Sequence, residues 1–158
     1  MKSKRKLVIG SVFKIHLEEK GDAFGVLCYG NEVAFYDFVS NSDSLPEDLL
    51  GKKLAFRVPV ATDELENLCW PIVGVIKVPA ELAEPGRYLN KPIGSTESYV
   101  YQNGELFQAT DSDIESLEIL TVWFSVHVEE RLKEYFDGKV SIYDTAIRKQ
   151  LDLPLKRI

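Results

Sequence analysis

The chain has 158 residues, 45% of them apolar, and a formal charge of −6. That length suits one domain, 1–158, able to bury roughly two-thirds of its unfolded surface, and no apolar run reaches the ~20 residues of a membrane span. The charge is uneven. Residues 7–138 hold 10 Lys and Arg against 23 Asp and Glu, a balance of −13, while residues 1–6 carry +4 and residues 139–158 carry +3. An acidic body between a basic tail and a basic C-terminal segment repels nucleic acid and attracts cationic protein surfaces.

Residues 10–37 write three short strands. Val12, Phe13, Ile15 and Leu17 form the first apolar run, broken by the turn-forming Glu18-Glu19-Lys20-Gly21-Asp22. A second run, 24–29, ends at Gly30-Asn31, which suits a two-residue hairpin loop with positive φ, and the third, 33–38, follows at once. Gly25 is the expected bend of this meander. Next come a polar loop at 40–44, one helical turn at 45–51 closed by Gly51, and a strand over 54–60. Thr62 is the expected N-cap of a short acidic helix, which Trp70-Pro71 stops. A buried strand is expected over 72–78, then an irregular surface excursion over 79–97, rich in Pro and Gly. Asn103-Gly104 marks a hairpin between 98–102 and 105–109. Val128, Leu132, Tyr135 and Phe136 fall on one helical face, with Glu129 spaced to pair with Lys133 and Gly138 at the end. A second short helix is expected over 142–151, before Pro154.

The expected fold is α+β: a curved, mostly antiparallel, barrel-like sheet over 11–109, with one main helix, 125–136, packed on it. Trp70 and Trp123 sit in apolar runs and read as core anchors. Cys28 and Cys69, each beside a leucine, read as reduced core residues. With an N-terminus that lacks the apolar stretch and cleavage site of a secretory leader, they point to the cytoplasm.

Signatures for catalysis are scarce. There is no zinc-spaced Cys/His set, HExxH helix, G-x-S-x-G elbow or phosphate-binding glycine loop, so no metal or cofactor is expected. His16 and His127 read as structural or surface residues, although an enzyme using acids and His127 is the alternative in another class. Acid clusters remain as the binding signal: Asp63, Glu64 and Glu66, then Asp111, Asp113 and Glu115, both at element starts beside loops where a partner can reach.

Four segments in order complete the pattern. They are Gly10-Ser11-Val12-Phe13-x-Ile15 with Phe24-Gly25-x-Leu27; Ala34-Phe35-Tyr36-Asp37; Trp70-Pro71-Ile72-Val73-Gly74; and Leu117-Glu118-x-x-x-Val122-Trp123 running into His127-Val128-Glu129-Glu130-Arg131-Leu132. Over residues 8–138 this resembles the immunity protein 26 family of bacterial polymorphic-toxin systems. The family pattern has proline after the first strand's Ile, where this chain has His16. The resemblance implies a cytoplasmic, non-catalytic antitoxin that binds and occludes a cognate toxin. It transfers no contact residue. Charge then assigns the two acid clusters to a toxin domain with a basic surface, without nucleic acid or membrane as partner.

Overall fold

The computed structural model describes residues 6–41 and 45–156. Lys2, Lys4 and Arg5 of the basic tail, and residues 42–44 of the polar loop, lie outside these. Five strands, β1 (Ser11–His16), β2 (Asp22–Tyr29), β3 (Glu32–Ser40), β4 (Leu54–Pro59) and β5 (Ile72–Val75), form a sheet in the order β4-β3-β2-β1-β5 with every pair antiparallel. The sheet is not closed into a barrel: β4 and β5 are its two edges. Tyr29 pairs with Glu32 across the predicted hairpin, with Gly30 at φ 53°. His16 pairs with Asp22 as the last residue of β1.

Both faces of this sheet are covered, which explains why its strands are apolar without clean alternation. Phe13, Ile15, Leu27, Val33 and Phe35 point to one cluster, while Val12, Phe24, Val26, Ala34 and Tyr36 point to the other. The first cluster is closed by Trp70, Trp123, Leu65 of α1 (Thr62–Glu66), and Val128 and Leu132 of α4 (Ser125–Phe136). The second is closed by Leu49 and by Leu82 of α2 (Ala80–Ala83). Gly25 lies at a register shift between β2 and β3, and a Cβ there would come within 2.9 Å of Phe35 Cδ1 and 3.0 Å of Val33 Cγ1. The missing side chain lets the Phe35 ring lie across β2.

A second sheet, which the sequence reading had merged with the first, takes β6 (Tyr88–Asn90), β7 (Tyr99–Gln102) and β8 (Glu105–Gln108) in that order. The stretch 79–97 is therefore more than a surface excursion. It contains α2 and β6, and Tyr88 and Leu89 are buried. The Pro and Gly residues had masked a strand of three residues, too short to show a period. Asn103 (φ 50°) and Gly104 (φ 80°) make the predicted hairpin turn. Beneath it a satellite core of Leu89, Ile119 and Leu153 receives Ile114 of α3 (Asp111–Ser116) and Ile147 of α5 (Ile142–Gln150).

Three local expectations are corrected. β5 stops at Val75, and as an edge strand it is incompletely covered: Ile72 and Val73 are half-buried, Gly74 is buried and Val75 is exposed. Ala61, not Thr62, is the N-cap of α1, and Thr62 already lies inside the helix. Lys133 turns to Glu18 at 3.1 Å, while Glu129 accepts a long bond, 3.4 Å, from Trp70 Nε1, so their four-residue spacing is not used as a pair. The main helix, Ser125–Phe136, and the second, Ile142–Gln150, fall where the periodicity put them.

The basic C-terminal segment is built into the fold. Arg148 is fully buried; its Nε donates to Asp144 (3.2 Å), and its guanidinium donates to the carbonyls of Leu117 (2.6 Å), Ile114 (2.8 Å) and Pro154 (3.1 Å). Arg131 makes a bidentate pair with Glu118 (2.7 and 2.8 Å) and lies over the rings of Phe56 and Trp123, at 4.0 and 5.0 Å. Burial lowers its pKa to about 10, which leaves it charged at neutral pH.

Candidate interaction surface

Residues 119–124 form a strap that joins the two sheets. At one end Leu89 N donates to Glu118 O (2.7 Å) and Leu120 N to Leu89 O (2.8 Å). At the other, Trp123 N donates to Pro59 O (2.9 Å) and Ala61 N to Trp123 O (3.0 Å). Isolated parallel bridges, Leu89 with Ile119 and Val60 with Trp123, mark the same two junctions. An extended backbone turns side chains to alternating sides. Ile119 and Trp123 go inward, whereas Leu120, Val122 and Phe124 go outward and are 36%, 53% and 52% exposed. Val126, in the first turn of α4, continues the stripe at 55%. Large apolar side chains exposed one after another along a segment held by backbone hydrogen bonds make this stripe the candidate contact surface.

The first acid cluster borders this strap. Glu64 reaches from α1 to the start of α4, accepting from Ser125 N (2.7 Å) and Ser125 Oγ (2.8 Å). The residue at the N-cap of α4 is Phe124, which has no side-chain cap, so a carboxylate from another helix satisfies the N-terminal donor and complements the dipole. That contact fixes α1 beside the strap and leaves Asp63 and Glu66 exposed at its rim. Glu64 is thus a structural acid, half-buried, within the predicted cluster.

The second cluster lies elsewhere, against the satellite core. Asp113 forms a reciprocal capping box with Thr110 (3.1 Å from Asp113 N to Thr110 Oγ1, 3.0 Å from Thr110 N to Asp113 Oδ2) and meets Arg87 Nη2 at 3.5 Å. The backbone bond from Thr110, then Arg87, holds its carboxyl below the usual range. Glu115 is half-buried and Asp111 is exposed. The two clusters therefore belong to different cores, with Leu65 of α1 in one and Ile114 of α3 against the other.

Beside the strap, a hollow of about 470 Å3 opens between the sheets, bordered by Leu120 and Val122, by Tyr29 and Tyr101, and by the Asn103-Gly104 turn. Glu32 lies within it, 8% exposed, and its Oε1 accepts from Tyr88 Oη (2.5 Å), Gly86 N (3.0 Å) and Arg57 Nε (3.1 Å). Burial, then the Glu32 carboxylate, push the Tyr88 phenol far up, so it stays protonated and donating. Another cleft, of about 390 Å3, lies between β4 and the α4–α5 turn and includes Lys53, Lys139, Arg131 and Lys156. Arg131 and Lys156 are both drawn to Glu118, so half of its cations already have an internal partner.

His127 packs against aromatic rings, 4.2 Å from Tyr143 and 6.2 Å from Phe124. His16 is exposed and bonds Asp22 through Nδ1 at 2.9 Å. Cys28 and Cys69 are free thiols, and burial raises each to about 11. No group of three or more potential metal ligands occurs among the described residues, nor does any helix there suffice to cross a membrane.

The strap was not singled out from sequence. Its signal was present in Ile119-Leu120-Thr121-Val122-Trp123-Phe124, but so continuous an apolar run equally fits a buried strand. Comparison with family models, curated proteins and solved structures finds no match for this chain.

Proposed function

We propose that this chain is a non-catalytic, cytoplasmic immunity protein that occludes a cognate bacterial polymorphic toxin, and that the strap with α1 forms its toxin-binding face. The observation that carries the reading is the outward stripe of Leu120, Val122, Phe124 and Val126 beside the exposed acids Asp63 and Glu66. An apolar centre with a charged rim is the anatomy of a protein interface, and the acidic body matches a basic partner. The ordered motifs that resemble the immunity protein 26 family support the same reading.

Occlusion needs no chemistry from the bound protein. The apolar stripe supplies desolvated contact, and the acids steer encounter and fix orientation. Asp63 and Glu66 carry the rim, Glu64 positions it, and Asp111, Asp113 and Glu115 form a second acidic surface outside the central contact. The test is co-expression with the C-terminal domain encoded in the adjoining reading frame, followed by affinity measurement at low and high salt. The expected result is a complex weakened by salt, weakened further by Asp63→Lys with Glu66→Lys, and abolished by Val122→Ser with Phe124→Ser. A toxin domain that is bound equally well by both double variants would refute this face. Turnover by the chain itself, lost in His127→Ala, would replace the reading with the enzymatic one.

A further inference from the structure

The hollow beside the strap combines features that interface packing alone does not require. Three tyrosines, Tyr29, Tyr88 and Tyr101, line it together with one carboxylate, Glu32, whose Oε1 is paired with Arg57 Nε at 3.1 Å. The Glu32 oxygens are unequally used. Among the described residues, Oε1 takes three donors, whereas Oε2 has only a long contact, 3.4 Å from Gly86 N. A carboxylate more than nine-tenths buried, with one oxygen held by Arg57 and the other still able to accept, lies here between aromatic walls that suit a second cation with a flat face.

We propose that this hollow is a socket for one arginine side chain of the basic partner, so that it rests on the toxin-binding reading and names a specific anchor within it. A guanidinium is planar, stacks on phenol rings, and is more weakly hydrated than an ammonium; its fork of donors can reach Glu32 while its face covers Tyr29 or Tyr101. The hollow's volume of about 470 Å3 admits a whole arginine side chain, and Leu120 and Val122 make its border continuous with the strap. Arginine in a partly enclosed aromatic site next to an apolar patch is the usual composition of an interface hot spot.

The socket is testable without a toxin. N-acetyl-arginine amide is titrated into the labelled full chain and followed by amide chemical shifts, with the citrulline analogue as its uncharged isostere. Shifts are expected at Gly30, Asn103, Gly104 and Val122 with the arginine probe alone. They should weaken about tenfold in Tyr101→Ala and in Tyr29→Ala, two variants that guard against one simply failing to fold. Equal shifts with citrulline, or no localised shift, overturn the proposal. With the adjoining-frame toxin domain, either variant should raise Kd about 30-fold. Toxin affinity indifferent to both variants overturns the socket and leaves the immunity reading standing. A chain that holds the arginine probe in the hollow but binds no toxin domain supports the socket and overturns the immunity reading.

Discussion

The five-stranded sheet and the strap are both rich in apolar residues, yet they use them oppositely. In β1, β2 and β3 both faces are covered, by α1, α4 and two tryptophans on one side and by α2 and the turn at Leu49 on the other. In the strap only Ile119 and Trp123 are covered, and the neighbouring Leu120, Val122 and Phe124 face outward. Hydrophobicity by itself does not separate core from contact surface; what separates them is whether a second layer lies over the residue. Trp123 and Phe124, adjacent in sequence and similar in chemistry, bring that contrast down to one peptide bond.

The largest effects should come from the covered side. Trp123→Ala removes a ring that packs on Tyr143 and lies beneath Arg131, and should cost about 3–5 kcal/mol by chemical denaturation; the same range applies to Trp70→Ala, whose ring meets Phe13 and Phe35 edge-on. Phe124→Ala, one residue away, should cost no more than about 0.5 kcal/mol. Equal losses at the two positions would break the comparison. Arg148→Met should fall in a similar range, about 3–5 kcal/mol, because it strands the buried Asp144 and three carbonyls. An unchanged denaturation midpoint in that variant would mean that the C-terminal segment is not part of the cooperative unit.

A middle-sized effect is expected inside the sheet. Gly25→Val would press on Phe35 and Val33 and should cost about 1–3 kcal/mol, read as a lower melting temperature. Smaller still is the acid response of Asp22. Burial pushes its carboxyl up, but His16 and Lys14 outweigh that and hold it below the ordinary 3.8. A lowered pKa contributes stability above 3.8 that fades as pH falls through the lowered value. Asp22→Asn should therefore flatten that part of the acid-denaturation profile. An identical acid limb in the variant would remove the pair from the account. Last, Val122→Ser with Phe124→Ser should leave thermal stability within about 0.5 kcal/mol of the parent while abolishing toxin binding. If that variant unfolds, the strap's outer face belongs to the core after all.

Much of the fold was legible because it is local. Gly30, Asn103 and Gly104 set hairpin turns through positive-φ backbone conformations that few other residues adopt, and Val128 and Leu132 marked the buried face of α4 by their spacing. The residues that failed to report themselves depend on distant partners. Glu64 looked like an exposed helix-start acid and became the cap of α4 because Ser125 meets it across 61 positions of chain. Glu129 and Lys133 had the right spacing to pair but found Trp70 and Glu18 instead. The acid clusters were visible as composition; their division between two cores was not.

By itself the sequence determined the α+β class, the antiparallel meander, the helix boundaries of α4 and the inward placement of both tryptophans, since turn chemistry and apolar period act within a few residues. Only the tertiary structure decided that the sheet stays open, that β6, β7 and β8 form a sheet of their own, and that the run through Trp123 shows half its side chains to solvent. Those outcomes turn on which surfaces cover which. Coverage is settled by contacts between residues far apart in the chain, where no local pattern records them.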